Sequence, residues 1–174
     1  MKLARKHVGA RATGYAFLAY EWSNYLFACT RCNSIWKKNQ FPLAGGRRAR
    51  SLDAVDKERA LLVDPLASRE VEEHFAFDGD GLVWGLTAEG RASVQVLGLD
   101  RATLCRERRL KAARIEKLLD DLALAVHERS AKLTQSLLQS LLAECRAHDA
   151  YAGFARYLVA KALGYTRAEL ARLL

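Results

Sequence analysis

From Arg101 almost to its end, the chain repeats apolar residues at intervals of three and four, which places a continuous stripe on one side of an α-helix. Leu104, Ile115, Leu118, Leu119, Leu122 and Val126 fall near one face, and Leu133, Leu137, Leu138, Leu141, Leu142 and Cys145 repeat the pattern. Such a stripe must be covered, so the spacing predicts two antiparallel helices packed on each other. Tyr151, Phe154 and Leu158 extend it into a third helix that Gly164 can end as a C′ residue. Thr166, with Glu169 three positions on, then forms a capping box for a last short helix. Stripes of this kind are core or partner-docking surfaces; they specify packing and say little about chemistry.

Upstream the pattern changes. "HFAFDGDGLVWGLT", residues 74–87, has short apolar runs on either side of Asp78-Gly79-Asp80-Gly81 and predicts a β-hairpin. Thr87 is the expected N-cap of a helix reaching about Leu97. "GYAFLAYEWSNYLFA", residues 14–28, is rich in aromatic and aliphatic groups and is expected to be a mostly buried strand or turn. Thr30 to Lys38 suits a short helix that stops before "NQFPL", because Pro42 disfavours helical geometry at Phe41. "AGGRRARSLD", residues 44–53, reads as a loop at a module boundary, and "LLVDP", residues 61–65, as a buried strand followed by a turn. The fold class expected is α+β and mostly helical: a basic module over 1–50, a hairpin-containing middle over 51–101 and a helical bundle over 102–174.

Charge is distributed as unevenly as hydrophobicity. The net charge is +8, yet residues 1–50 hold ten Lys/Arg and a single acid, Glu21, so the remainder is close to neutral. A concentrated basic field suits a polyanion, because each neutralised phosphate releases condensed counterions. The bland reading is a solubilising basic arm. No window approaches the ~20 uncharged apolar residues of a membrane span, and the basic N-terminus leads into no signal-peptide core. A cytoplasmic protein with no membrane association is the expectation.

Two of the four cysteines, Cys29 and Cys32, sit in that basic segment as C-x-x-C, followed at once by Asn33 and then by Lys37. A C-x-x-C can place two thiolates on one side of a tetrahedral zinc ion, but a closed site needs two more ligands. Cys105 and Cys145 are isolated on predicted helices, where a thiol is usually a small buried hydrophobe. A redox pair is the other reading, although it normally follows a strand in a βαβ unit, and no such alternation is present.

The order and spacing of Trp22-x-Asn24, C-x-x-C-N and "FPL" within "LAYEWSNYLFACTRCNSIWKKNQFPL", residues 18–43, resemble the HNH endonuclease family, in particular the HNH effectors associated with Septu and retron anti-phage systems. The likeness continues through residues 58–101 and, more loosely, in "AYAGFARYLV". It implies a partial ββα-metal fold, hydrolysis of DNA phosphodiesters, and work alongside an ATPase partner. By that resemblance Asn24 matches the asparagine that orders the loop and orients the catalytic histidine. Asn33 matches a ligand of the catalytic divalent metal, Mg or Mn, and Cys29 and Cys32 match half of a structural zinc knuckle. Lys37, four residues after Asn33, is placed to meet phosphate. Lys38, Arg47, Arg48 and Arg50 are further nucleic-acid contacts, because arginine offers phosphate a planar fork.

Family members carry an earlier C-x-x-C and an acid-histidine pair; here no cysteine precedes Cys29, and His7, flanked by Lys6 and not by an acid, is the sole upstream histidine and so the candidate base, although an exposed loop histidine is the favoured reading of it. An N-terminally truncated coding start, a degenerate homologue that binds without cutting, and a partner that supplies the missing half all remain open. His74 reads as structural, and Trp22 and Trp36 either stack on bases or form a small core beside the cysteines.

Overall fold

The computed structural model describes residues 14–45, 48–66, 71–166, 169–170 and 172–174. His7 and Arg47 therefore lie outside the described residues. The expected α+β class, mostly helical with one small hairpin, is what the described residues form.

The hairpin consists of β1 (Phe75–Phe77) and β2 (Val83–Gly85), paired antiparallel with Ala76 opposite Trp84. Its turn is built by Asp78, whose carboxylate accepts from the Leu82 N–H at 2.9 Å, and by Gly81, which takes a positive φ of 79°. A side chain at Gly81 would also run into the Cys105 carbonyl, so glycine is required twice over. Helix α1 (Ala88–Leu97) follows, with Thr87 as its N-cap: the Thr87 hydroxyl accepts from the Gly90 N–H at 3.0 Å. His74 Nδ1 lies 2.7 Å from the same hydroxyl, which makes this histidine a brace between hairpin and cap.

Helices α2 (Ala102–His127), α3 (Ala131–Ala143) and α4 (Ala152–Leu163) form the bundle. Ile115, Leu122, Leu141, Cys145, Val159 and Leu170 meet in its core. Gly164 ends α4 in the left-handed region, and the capping box forms as expected, with the Glu169 N–H donating to the Thr166 hydroxyl and the Thr166 N–H to the Glu169 carboxylate. Three stripe positions are corrected. Val126, Leu133 and Leu138 are exposed, while Ala112 and Ala125 are buried. Small residues serve where helices approach closely, and a pattern built on large side chains passes over them.

Arg108 joins the two halves. Its side chain is buried on α2, where Nε donates to the Gly81 carbonyl at 2.6 Å and Nη2 to the Leu99 carbonyl at 2.7 Å, while the guanidinium lies 5.8 Å from the Phe77 ring centre. Phe77 in turn packs edge-on against Phe154 of α4. Beside this, Arg156 of α4 pairs with Glu72 and reaches the Cys145 carbonyl.

Two expectations upstream of the hairpin are overturned. None of residues 14–28 is buried, and the stretch forms two short 3₁₀ turns, Ala16–Leu18 and Trp22–Asn24, with no strand. Nothing among the described residues packs over its aromatic groups deeply enough to make them core. Leu61, Leu62 and Val63 likewise form no strand and are half-buried, tied to α1 by the Val63 N–H donating to Ser93 at 2.9 Å; the expected turn does follow at Pro65 and Leu66, where the chain is exposed, and the bridge nearby is Leu43 with Ala60.

Truncating Arg108 leaves two inward carbonyls without a donor and removes the cation from the Phe77 face. Arg108→Ala is expected to cost about 3 kcal/mol in urea unfolding. A loss below about 0.5 kcal/mol, the size of a surface substitution, would show that Arg108 does not hold the halves together.

Candidate nucleic-acid interface at the Cys29–Lys38 turn

Residues Arg31–Lys37, where the sequence suggests a short helix, form a single π-helical turn. The Asn33 N–H donates to the Cys29 carbonyl at 3.0 Å, and the Lys38 N–H to the Asn33 carbonyl at 2.8 Å, five residues back. Turns of this width are rare and recur at functional sites. The turn ends at Lys38 with φ 49° and ψ −120°, a region that a residue with a Cβ enters at a cost of about 1–3 kcal/mol.

The turn is seated on the C-terminal end of α1. Gly98 ends that helix with φ 58°, and the Trp36 indole lies where a Gly98 side chain would be. Arg101 completes the seat. Its Nη1 donates to the Gly98 carbonyl at 2.9 Å and to Leu97 at 3.2 Å, and its Nη2 lies 3.5 Å from the Cys32 sulfur. A cation on the last carbonyls of a helix is favourable in itself; here it also faces the thiol pair.

Both thiols are free. The Cys32 N–H donates to the Cys29 sulfur at 3.4 Å and, with the Cys32 side chain, holds the exposed Cys29 thiol below the ordinary cysteine range; the Arg101 charge adds to this. Among the described residues, no group of three His, Cys, Asp or Glu comes together to hold a metal ion. The Cys105 thiol is turned to the Asp100 carbonyl, and burial in the bundle core pushes the Cys145 thiol up to about 11. The described residues thus offer two zinc ligands of four and do not by themselves fit a closed site.

Asn33 is half-buried on the turn. Asn24, on the second 3₁₀ turn, ties its carboxamide back to the Leu18 carbonyl at 3.2 Å. Lys37 is half-buried with its ammonium 5.9 Å from the Phe41 ring centre, and burial lowers its pKa. Phe41 packs edge-on against Tyr15, whose hydroxyl donates to Glu58 at 3.1 Å; burial and this carboxylate push the tyrosine up to about 12. Glu58 also accepts from the Ala49 N–H, which fixes the start of the segment bearing Arg48 and Arg50. Arg31, Lys38, Arg48 and Arg50 are exposed.

No protein-family model matches the chain, and no solved structure matches it. Among curated proteins, Septu protein PtuB of Bacillus mycoides (strain KBAB4) is 34% identical over 122 residues, covering 66% of this chain and 41% of that protein. Septu protein PtuA of the same strain is 34% identical over 96 residues, 54% of this chain and 13% of PtuA. This chain resembles Septu proteins. It spans less than half the length of the Septu relatives it matches.

Gly98 and Arg101, which seat the turn, escape a reading of the sequence. An arginine three residues beyond a helix-ending glycine signals a C-terminal cap, but its second partner, Cys32, is 69 residues away. The strain at Lys38 has a direct test. Lys38→Gly is expected to raise stability by roughly 0.5–1 kcal/mol in urea unfolding, because glycine enters that region freely. A destabilised variant would show that the turn does not carry the strain.

Proposed function

We propose that the chain belongs to an anti-phage defence system of the Septu kind and acts there as an HNH-type endonuclease component that hydrolyses DNA phosphodiesters. The observation that carries this is the similarity to Septu protein PtuB over two thirds of the chain. The Cys29–Lys38 turn, with thiol pair, carboxamide and cations on one short element, is consistent with it.

In this reading the chain's own residues bind and orient. Asn24 holds the approach to the turn, Arg101 and Gly98 hold the turn itself, and Arg31, Lys38, Arg48 and Arg50 contact phosphates. Lys37, already partly desolvated over Phe41, would meet a phosphate with little further loss of water. A divalent metal, when bound, would stabilise charge on the scissile phosphate. Its full ligand set, and that of a structural zinc, requires groups beyond the described residues. The reading also includes a partner protein, by analogy with the paired Septu names PtuA and PtuB.

The half-set of ligands favours a second reading, a nucleic-acid-binding or partner-docking module that does not cut. Plasmid nicking in Mg or Mn separates the two. The chain alone is expected to nick weakly or not at all, and a Septu-type partner to raise nicking in a manner that EDTA abolishes and Asn33→Ala reduces. Salt-sensitive binding that persists in EDTA, with no cleavage in any combination, would overturn the nuclease reading.

A further inference from the structure

Tyr20, Trp22 and Phe27 are 94%, 88% and 106% exposed. Scattered exposed apolar residues are ordinary, but three large aromatics within eight positions are not. They do not hold the local backbone, which is fixed by other groups. The Asn24 N–H donates to Glu21 at 3.0 Å, the Tyr25 N–H to Trp22 at 3.0 Å, and the Asn24 and Tyr25 side chains reach back to Leu18 and Ala19. Trp22 is preorganised nonetheless, its ring 6.0 Å from that of Tyr25 with the planes 56° apart. Ordering an aromatic before binding lowers the entropy cost of using it.

The charge carried by the same stretch of chain selects the occupant. Between residues 14 and 50 the described basic groups Arg31, Lys37, Lys38, Arg48 and Arg50 outnumber the one acid, Glu21. An apolar protein partner has no need of that excess. A duplex answers the cations but hides its base faces in its own stack. An unpaired strand supplies both a π-face and a phosphate at each nucleotide.

We propose that residues 20–38 form a platform for unpaired nucleotides, with Tyr20, Trp22 and Phe27 stacking on bases while Arg31 and Lys38 contact the adjoining phosphates. The proposal deepens the nucleic-acid reading given above and rests on it. Stacking supplies the preference for single strands, and the cations supply sequence-independent affinity.

The test is fluorescence anisotropy on the full chain, in EDTA, with oligothymidylate and with a DNA hairpin of equal nucleotide count. The single strand is expected to bind about tenfold more tightly or better. Trp22→Ala and Phe27→Ala should each weaken it by about five- to a hundredfold without changing the salt dependence. Trp22→Phe should retain most of the affinity, and Lys38→Ala should reduce the salt slope by about 0.7. Equal affinity for the hairpin would overturn the proposal. So would single-strand binding indifferent to both aromatics, or aromatic variants that lose a protein partner but keep the oligonucleotide. Failure here with metal-dependent nicking intact would leave the nuclease reading standing. Strand binding without nicking under any condition would sink that reading and leave the platform.

Discussion

The candidate site depends on one junction, the C-terminal end of α1. Gly98 turns the chain into the left-handed region there and, lacking a side chain, leaves room for the Trp36 indole. Arg101 satisfies the helix's last carbonyls with one nitrogen and approaches Cys32 with another. The same few residues therefore end a helix and seat a turn from the other half of the sequence. Because Arg108 binds the hairpin turn and the Leu99 carbonyl just beyond that junction, the seat is continuous with the bundle. A short π-turn with no buried residue of its own has little intrinsic stability; its geometry is borrowed from α1 and α2.

The surface built on this seat is cationic, partly desolvated and aromatic. Lys37 is drawn over Phe41 at some cost to its charge, Lys38 is held in a strained backbone state, and the rings before Cys29 face solvent. An anion would favour the desolvated Lys37 charge and a π-face would cover the exposed rings, while the strain at Lys38 lies in the backbone. Strain and desolvation gathered on one exposed element set it apart from a merely basic arm and are the features on which the proposed nucleic-acid contact rests.

The parts of the fold legible in the sequence are those set by neighbours along the chain. Thr87 caps α1, Asp78 and Gly81 build the hairpin turn, and Thr166 with Glu169 forms the capping box, because each depends on contacts within a few residues. The Cys29–Lys38 element was legible as a short helix but not as a π-turn, since its width follows from how Trp36 docks on Gly98. Residues 14–28 read as core because apolar runs usually are; their exposure is set by what lies over them, which no local pattern encodes. Arg101 is marked locally as a cap by its place after Gly98 but not as the neighbour of Cys32, since that thiol belongs to a distant segment.

On the proposed function, nucleic acid meets this protein at the turn seated on α1 and not on the helical bundle. Backbone amide shift changes in an NMR titration with a short unpaired DNA strand test it most directly. The largest changes are expected over residues 20–38 and at Gly98 to Arg101. Changes concentrated on α3 and α4, or none at a strand concentration that saturates binding, would contradict it.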